Sequence, residues 1–517
     1  MSDSPVASAF QRLPDYLGQH VLLSLSAMVL GLCISLPLGI FAARSRYWGK
    51  LVLAAASIIQ TIPGLALLAL FYPLLLVVSH FTRTTLGFSI SALGFLPALL
   101  ALTLYSMLPV LRNCVAALSG IDPAVLLAAR SVGMTPWQSL FIVELPLAAP
   151  TIMAGLRIAA VWVIGAATLS TPIGQTSLGN YIFSGLQTEN WVDVVFGCVA
   201  AALLALIVDQ LLGLIESGIA ARRRGRIITA IVGLAVLLVV SLYPLFRTEA
   251  PPVIIGTENF EEQYTLGDLI GSRLQNAGYT TATRDDLGTA IIFRALTAGD
   301  VDVIVNYSGT IWTNEMHRKD SPGRQQVLDQ IGTWVQGKYG VVLLGPLGFE
   351  NAYAFAMRSD RARALGIHSL YDLARVAPQL KIGGDYEFFT RPEWKSVVAA
   401  YGVRFREQRT FQPTFMYDAV KDGDVDVIAA FSSDGRIAQY NLKLLDDPKH
   451  ALPPYDAMLL VGPRHAHDAR FIAALHPLIN SIDLSKMQQA NLMVDRADHK
   501  VSPAEAAQWL ADHLKHR

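Results

Sequence analysis

The chain has 517 residues, of which 52% are hydrophobic and 16% are charged, and its formal net charge at pH 7 is zero. This neutral balance excludes a protein that binds nucleic acid by bulk electrostatic attraction. Residues 1–225 hold 8 acidic and 11 basic side chains, whereas the rest of the chain holds 33 acidic and 30 basic ones. The asymmetry predicts an apolar, membrane-embedded part followed by an ordinary soluble domain.

Six apolar runs are long enough to cross the ~30 Å hydrocarbon core of a bilayer. They lie at about 20–43, 51–79, 92–118, 148–170, 194–216 and 227–246. No basic segment precedes the first run and no small-residue cleavage site follows it, so we expect a retained span rather than a cleaved signal peptide. The three cysteines all lie in apolar segments, which excludes a disulfide framework and predicts apolar packing for each.

Basic residues mark alternate loops between these runs. They are Arg44, Arg46 and Lys50 after the first run, Arg112 and Arg130 after the third, and Arg222, Arg223, Arg224 and Arg226 after the fifth. Because positively charged loops stay in the cytoplasm, the N-terminus and everything after Phe246 are predicted to be outside. Arg83, in a predicted outer loop, is the exception.

Residues 122–146, between the third and fourth runs, are amphipathic and too polar to cross a bilayer. Asp122 predicts the start of one short helix, which Gly133 ends. Thr135–Gln138 forms a capping box, so a second helix is expected to begin there and to end at Glu144–Pro146. The pair carries apolar Leu126, Leu127, Trp137, Leu140 and Phe141. Such a segment either docks into a groove of another protein or packs on its own bundle.

Two residues inside the spans have more than one interpretation. Asp209 is ionisable within an apolar helix, which suggests a functional role; the alternative is a carboxylate that reaches the interface or pairs with a neighbour. Pro63 is expected to kink the second span, either for structural reasons or as part of a gate.

The soluble part alternates short β-rich runs with amphipathic helices, which predicts an α/β domain. Its clearest feature is an internal repeat, because GDVDVIVNYSG at 299–309 and GDVDVIAAFSSDG at 423–435 are near copies. The repeat pairs Tyr307 with Phe431, and the preceding helices pair Phe293 with Tyr417. Two lobes that each present an aromatic ring at the end of a strand predict a cleft between them. The alternative is a coincidence of a common helix–strand connection.

The spacing of Ala128, Ala129, Gly133 and the trio Glu144, Leu145 and Pro146 resembles the coupling motif of ABC-importer permeases, although Leu127 stands where that family usually has glutamate. Segments 60–68, 104–113 and 174–179 resemble the permeases for glycine betaine, carnitine and choline. The resemblance covers about residues 15–220. It implies that residues 122–146 dock on a cytoplasmic ATPase subunit and that the permease dimerises. Since no GxxxxGK[ST] loop is present, ATP is expected on that separate subunit and no cofactor in this chain.

The soluble part resembles the substrate-binding proteins of the same importers over residues 252–517. The matching blocks are 257–263, 286–289, 306–310, 385–388 with Arg391, and 431–437. The resemblance implies binding of a quaternary ammonium solute. Such a cation has no hydrogen to donate, so aromatic faces would hold it, at roughly 0.5–2 kcal/mol each.

The candidate cage residues are Tyr307, Tyr417 and Phe431, for each of which core packing is the alternative. The helix start at Gly288-Thr289 and the side chain of Gln263 are candidates for the ligand's carboxylate. The resemblance adds Asn306, Ser308 and Arg391, although Asn306 replaces the family's usual Glu and Ser308 its usual Thr. These departures leave the ligand open among glycine betaine, carnitine, choline and other trimethylammonium compounds such as ergothioneine.

The sequence thus predicts an all-α permease at 1–225 with coupling helices at 122–146, a sixth span and tether at 226–250, and a two-lobed α/β binding domain at 251–517. The lobes are expected at 252–356 with 461–517, and at 357–460. The predicted protein lies in the bacterial inner membrane with its binding domain outside. A ligand-gated channel or sensor is the rival from another class; it predicts a re-entrant selectivity segment or a cytoplasmic signalling domain. No arrangement of histidines predicts an enzyme or a metal site.

Overall fold

The computed structural model describes residues 5–86, 91, 93–188, 190–243, 252–318, 320, 322–496 and 500–514. They divide into two compact units: a helical one within residues 1–185 and 191–248, and an α/β one within 186–190 and 249–517. The helices before residue 244 are α1 (Pro5–Ala43), α2 (Arg46–Thr61), α3 (Gly64–Leu86), α4 (Phe95–Ser119), α5 (Pro123–Ser131), α6 (Pro136–Gln138), α7 (Leu145–Ala167), α8 (Gly179–Gln187), α9 (Trp191–Ala220) and α10 (Arg224–Leu242).

Within the described residues, five helical stretches are long and apolar enough to cross a membrane, and there are six if α2 and α3 count as one bent pair. The predicted number of about six spans is confirmed in that sense. Helices α1, α3, α4 and α7 share a buried apolar core that contains Leu23, Leu68, Leu102 and Val163. The predicted tether falls on residues 244–250, outside the described part of the chain.

The second predicted span differs from a single kinked helix, because α2 and α3 meet at an angle of 97°. Ile62, the residue before Pro63, is extended, with φ −71° and ψ 125°. A proline disfavours helical geometry at the preceding residue and has no N–H for the helix ladder, so the chain breaks here. The pair is therefore a broken span or a re-entrant loop.

The described residues of the α/β unit contain ten strands in two sheets. The strands are β1 (Val253–Glu258), β2 (Thr281–Leu287), β3 (Val303–Tyr307), β4 (Val342–Glu350), β5 (Tyr353–Arg358), β6 (Lys381–Asp385), β7 (Glu407–Phe411), β8 (Val427–Phe431), β9 (Leu442–Leu444) and β10 (Asp456–Val461). The first sheet has the order β2-β1-β3-β10-β4, and the second has the order β7-β6-β8-β5-β9. The two-lobed α/β prediction is confirmed.

Helices cover these sheets. They are α11 (Glu261–Asn276), α12 (Thr289–Ala298), α13 (Ser308–Thr310), α14 (Arg324–Tyr339), α15 (Ser359–Leu365), α16 (Leu370–Val376), α17 (Pro392–Tyr401), α18 (Pro413–Asp422), α19 (Arg436–Gln439), α20 (Ala469–Leu475), α21 (Leu484–Asp495) and α22 (Pro503–Asp512). The main core packs buried side chains such as Leu269, Val305, Phe355 and Val427.

The internal repeat is a structural repeat as well. Strands β3 and β8 hold the same position in their sheets, each parallel to a neighbour, β1 or β6. Asp302 before β3 accepts a hydrogen bond from Ile254 N at 2.8 Å, and Asp426 before β8 accepts one from Lys381 N at 2.9 Å. In both lobes an aspartate side chain thus accepts from the backbone of the neighbouring strand, which argues against a chance similarity of the two helix–strand connections.

The predicted lobe boundaries are each wrong by one strand. The chain crosses to the second sheet at residues 351–352, so β5 belongs to the second lobe, where it pairs antiparallel with β8 and β9. The chain returns before β10, which pairs antiparallel with β3 and β4 in the first lobe. Pairing partners of this kind are decided by tertiary contacts, which a local β-rich pattern does not specify.

Candidate functional site

A cleft lies between the two sheets of the α/β unit, beyond the ends of their parallel strands. Its empty space is about 720 Å³, part of which is open to solvent at the mouth. Both lobes contribute lining residues: Glu258, Asn259, Phe260, Thr289, Tyr307 and Thr310 from the first, Tyr353, Asp385, Tyr386, Glu387, Arg391, Pro413 and Phe431 from the second, and Asn351 and Tyr455 from the two crossing segments. The cleft predicted from the repeat is therefore present.

Aromatic rings from both lobes meet in this cleft. Phe260 of the first lobe and Phe431 of the second are nearly parallel, with ring centroids 6.4 Å apart. Tyr307 lies 6.2 Å from Phe260, and Tyr353 lies 5.1 Å from Phe431. Tyr455 meets Tyr353 edge-on at 6.1 Å. These faces present the negative side of several ring quadrupoles to one space, which is the environment that attracts an organic cation.

Tyr307 is fixed by its hydroxyl. The hydroxyl donates to Glu262 Oε1 at 2.6 Å and accepts from Gln263 Nε2 at 3.0 Å. Glu262 also accepts from Asn351 and Asn491, while burial raises the pKa of its carboxyl. The ring of Tyr307 thus faces the cleft, while its hydroxyl belongs to a buried polar network behind it.

Two acidic side chains line the buried part of the cleft. Glu258 is 3% exposed and its Oε2 accepts from Thr289 Oγ1 at 2.8 Å, whereas Oε1 has no partner among the described residues. Burial raises the pKa of Glu258 to about 7, and the Thr289 hydrogen bond opposes that rise. Asp385 accepts from the Tyr353 hydroxyl at 2.7 Å and from two backbone N–H groups, so both of its oxygens have donors.

Arg391 contributes a cation to the cleft lining. It is 7% exposed, and its Nη1 donates to Glu387 at 3.1 Å. Its Nε donates to Glu393 at 3.3 Å, and its guanidinium lies 5.4 Å from the centre of the Tyr353 ring. Glu393 also accepts from the Tyr455 hydroxyl. These partners hold the guanidinium in place beside the aromatic rings, where it can attract a carboxylate.

The structure brings Tyr307, Phe431, Thr289 and Arg391 into the cleft lining, but it leaves four other predicted residues outside it. Tyr417 is wholly buried in the second lobe, under the guanidinium of Arg436, and its hydroxyl accepts from Phe431 N at 2.9 Å. Gln263 bonds the network behind Tyr307. The remaining two have other partners: Asn306 accepts from Tyr307 N, and Ser308 donates to Pro454 O in the segment before β10.

The correction for Tyr417 has a physical reason. Tyr417 packs with buried residues of β5 and β8, and its partner in the repeat, Phe293, is 2% exposed and stacks on Trp334 of α14, so neither side chain lines the cleft. Sequence reasoning missed Phe260, Tyr353 and Tyr455. Phe260 could have been found, since it lies within the block 257–263, but Tyr353 and Tyr455 adjoin the crossing segments and only the pairing of β5 and β10 places them here.

The segment 122–146 forms a second candidate site, on the helical unit. Helix α5 begins at Asp122, whose side chain accepts from Ala124 N, and it ends in a Schellman motif. In that motif Gly133 N donates to Arg130 O at 3.0 Å and Met134 N to Ala129 O at 3.2 Å. Gly133 has φ +83°, and a Cβ at this position would meet no atom within 4 Å, so the residue lies at an open, left-handed turn.

Beyond this turn, the capping box of Thr135 and Gln138 is present as predicted. The predicted helix end at Glu144–Pro146 is wrong, because a π-helical stretch, Ser139–Glu144, leads directly into α7. Leu145 N donates to Leu140 O, five residues back, and this wider turn lets the helix pass Pro146 without a break.

Large apolar side chains of this segment are exposed. They are Leu127 at 65%, Val132 at 73%, Trp137 at 70%, Phe141 at 60% and Ile142 at 61%. The rings of Trp137 and Phe141 stack with centroids 5.9 Å apart. Ala128 and Pro146 are also exposed, Leu145 is half-buried, and Ala129 is buried. An apolar face of this kind is typical of a docking surface.

Glu144 anchors segment 122–146 to the rest of the helical unit. It is 4% exposed, accepts from Ser139 Oγ at 2.9 Å, and pairs with Arg44 at 2.8 Å. Arg44 lies between α1 and α2, so the ion pair links two cytoplasmic-side loops of the predicted topology. Of the coupling residues predicted from the motif, Glu144 thus has an anchoring position rather than a place on the exposed face.

Comparison with known families decides the class of protein. Residues 251–512, about half of the chain, match the family described as the substrate binding domain of ABC-type glycine betaine transport system. Residues 35–248 match the family described as the binding-protein-dependent transport system inner membrane component. The chain is an ABC-importer permease fused to a substrate-binding domain of the glycine betaine family. Such a fusion is a multi-pass protein of the inner membrane.

Two sequence relatives agree with this assignment. The chain is 38% identical over 199 residues to the glycine betaine/carnitine/choline transport system permease protein OpuCB of Bacillus subtilis, covering 38% of this chain and 84% of that one. It is 28% identical over 476 residues to the ergothioneine transport permease/ergothioneine binding protein EgtU of Helicobacter pylori, covering 89% and 83%. A crystal structure of a glycine betaine/carnitine/choline ABC transporter shares 26% identity, covers 50% of this chain and 98% of its own, and has a TM-score of 0.45.

The fused importer also contains a charged cluster within its spans. Arg157 of α7 makes two bonds of 2.9 Å to Asp209 of α9, and its Nη1 donates to Glu216 at 2.8 Å. Asp209 therefore pairs with a neighbour, which was the structural alternative to a transport role. The cluster links α7 to α9, and it gives each charge an opposite partner where an unpaired charge would be costly in hydrocarbon.

Proposed function

We propose that this chain is the membrane and substrate-binding subunit of an ATP-driven importer for a betaine-like quaternary ammonium solute. The observation that carries the proposal is the meeting of Phe260, Tyr307, Tyr353 and Phe431 in one cleft. A fully methylated ammonium group is held by ring faces, at roughly 0.5–2 kcal/mol each, since it offers no N–H. Arg391, which lies beside the rings, has five N–H groups, and those not used by Glu387, Glu393 and Tyr455 can donate to a betaine carboxylate.

Two similarities to known proteins support a betaine-like ligand. The family of the binding domain is that of glycine betaine transport, and the permease relatives carry names that include choline and carnitine. Ergothioneine, another trimethylammonium betaine, is a second candidate, because the relative named for it resembles this chain over both parts. We propose a homodimer through the permease and a separate cytoplasmic ATPase subunit that docks on residues 122–146. A ligand-gated channel would instead pass solute without ATP.

The cage prediction concerns Phe431 and Tyr307. We expect Phe431→Ala to weaken betaine binding by about 5- to 100-fold, since it removes a ring face and buried area without disturbing a side-chain hydrogen bond. Isothermal titration of the full chain in lipid nanodiscs, with a panel of glycine betaine, carnitine, choline and ergothioneine, measures this. Unchanged affinity of Phe431→Ala for the ligand that the parent binds would contradict the cage.

Tyr307→Phe provides a second, different readout. The repeat by itself favours little effect, because the equivalent position, Phe431, has a ring without a hydroxyl. The structure predicts a larger effect, because Glu262 would lose the buried hydroxyl that donates to it. This loss is expected to lower the free energy of unfolding by about 1–3 kcal/mol. We therefore expect Tyr307→Phe to lower the stability of the binding domain while it retains more affinity than Tyr307→Ala. A variant as stable as the parent would show that the network does not depend on this hydroxyl.

The topology prediction places the binding domain outside the cell. Ser396, on α17, is exposed, and the soluble part has no cysteine of its own, so Ser396→Cys gives one accessible thiol there. We expect an impermeant maleimide to label it in intact spheroplasts, with the parent chain as the control for the three native cysteines. Labelling that requires lysis would reverse the proposed orientation.

A further inference from the structure

The buried carboxylate of Glu258 is the part of the cleft that binding of glycine betaine leaves unexplained. One of its oxygens is held by Thr289, and the other is shielded from water without any partner among the described residues. A buried carboxylate oxygen without a donor is unfavourable, and native proteins usually supply a partner from protein, water or ligand. Glu258 and Thr289 both line the cleft, so a bound molecule can supply that donor.

The other charged groups nearby already have partners. Asp385 accepts from Tyr353 and two backbone N–H groups, and Glu387 pairs with Arg391. Arg391 itself donates to Glu387 and Glu393 rather than to Glu258. Asn351, which also lines the cleft, has an Oδ1 without a partner in the described part of the chain, while its Nδ2 donates to Glu262. Among the described residues, the two atoms without a partner at this end of the cleft, Glu258 Oε1 and Asn351 Oδ1, are therefore both hydrogen-bond acceptors.

A ligand that fits these acceptors must carry a donor. Glycine betaine has neither an N–H nor an O–H group when its carboxylate is ionised, so it cannot donate to Glu258. A larger betaine with a ring N–H can place its trimethylammonium group among the rings and its N–H on the carboxylate. Sites built to hydrogen-bond a polar ligand group discriminate strongly against analogues that lack it, because a buried group is then left unpaired.

We propose that Glu258 is a specificity-determining residue that accepts a hydrogen bond from an N–H or O–H group of the bound solute, and that it favours trimethylammonium betaines with such a donor over glycine betaine. This inference rests on the proposed function. Thr289 is a positioning residue in this scheme, because its hydroxyl fixes the second oxygen of Glu258. The raised pKa of Glu258, about 7, fits a carboxylate that lacks a donor until ligand arrives.

The test uses the full chain in nanodiscs at about pH 8, where a carboxyl of this pKa is largely ionised. Three probes are titrated: glycine betaine, the trimethyl betaine of histidine, and the same compound with its ring N–H replaced by N–CH₃. We expect the N–H compound to bind about 10- to 100-fold more tightly than its N-methyl counterpart, the range for a hydrogen bond to a charged group. Glu258→Met should reduce that ratio to about threefold or less, and Glu258→Gln, which keeps an acceptor, should give an intermediate ratio.

The outcomes separate the alternatives. If Glu258→Met still binds the N–H compound more tightly than its N-methyl counterpart by the same ratio, the N-methyl group only clashes with the cleft wall, and the proposal is overturned. An equal loss for all three probes in Glu258→Gln would make Glu258 a counter-charge for the ammonium group, which also overturns it. If no betaine binds the parent, the proposed function itself fails, whereas binding without preference defeats only this inference. Glu407→Gln, a half-exposed glutamate on β7, is the matched control and should leave the ratio unchanged.

Discussion

Gly133→Trp is expected to abolish transport while substrate binding persists. Gly133 has φ +83° in the turn between the two short helices, next to the exposed side chains of Val132 and Trp137. A tryptophan there adds bulk to the proposed docking face and is strained in the left-handed region. Contacts at the centre of an interface commonly cost about 2 kcal/mol or more when disrupted, so we expect uptake to fall by at least about tenfold.

The measurements are uptake of labelled betaine by vesicles with the cognate ATPase, and substrate-stimulated ATP hydrolysis. Gly133→Asn is the matched control, because asparagine tolerates the left-handed conformation and adds far less bulk. We expect it to retain most activity. Normal uptake by Gly133→Trp would refute docking at this turn, and equal loss in both variants would assign the effect to the turn itself.

Arg157→Met is expected to destabilise the helical unit. The change leaves Asp209 and Glu216 without their cation between α7 and α9. The three side chains are partly buried, with exposures of 31%, 21% and 28%, so leaving the two carboxylates without their cation costs about 1–3 kcal/mol. We therefore expect a lower yield of folded protein and a clear drop in melting temperature in detergent, as measured by size-exclusion fluorescence after heating.

The compensated variant is Arg157→Met combined with Asp209→Leu and Glu216→Leu, which removes all three charges together. Replacing a buried charged cluster by apolar residues is often neutral or stabilising, so most of the lost stability should return. If the compensated variant also fails to transport while it is stable, the cluster has a role in the transport cycle. A single variant as stable as the parent would mean that the cluster contributes little to packing.

The local features of this protein follow from short stretches of sequence. The capping box at Thr135 and the stop at Gly133 each depend on the chemistry of one to four neighbouring residues, and both occur as expected, while the kink predicted at Pro63 is a sharper break of 97°. The repeat that ends in Tyr307 and Phe431 likewise predicted two equivalent strands and a cleft beyond them. Propensity, capping and proline geometry act through adjacent atoms, so the sequence displays them directly.

Other features depend on contacts between distant residues. The π-helical turn that carries the chain past Pro146 was missed because a proline usually ends a helix, whereas the anchoring of Glu144 by Arg44 involves another loop. Tyr417 was misplaced for a related reason: the repeat aligned it correctly with Phe293, but alignment does not reveal which face of a helix points to the sheet and which to the cleft.

By itself, the sequence determined that an apolar helical part precedes a two-lobed α/β part, where the short helices of segment 122–146 begin, and which aromatic residues end strands β3 and β8. Only the tertiary structure decided that β5 belongs to the second lobe and β10 to the first, and that Tyr353 and Tyr455 line the cleft. It also decided that one oxygen of Glu258 has no partner among the described residues. The reason is that hydrophobic period and capping are fixed by neighbours in the chain. Strand pairing and hydrogen-bond satisfaction are instead fixed by residues that folding brings together from far apart.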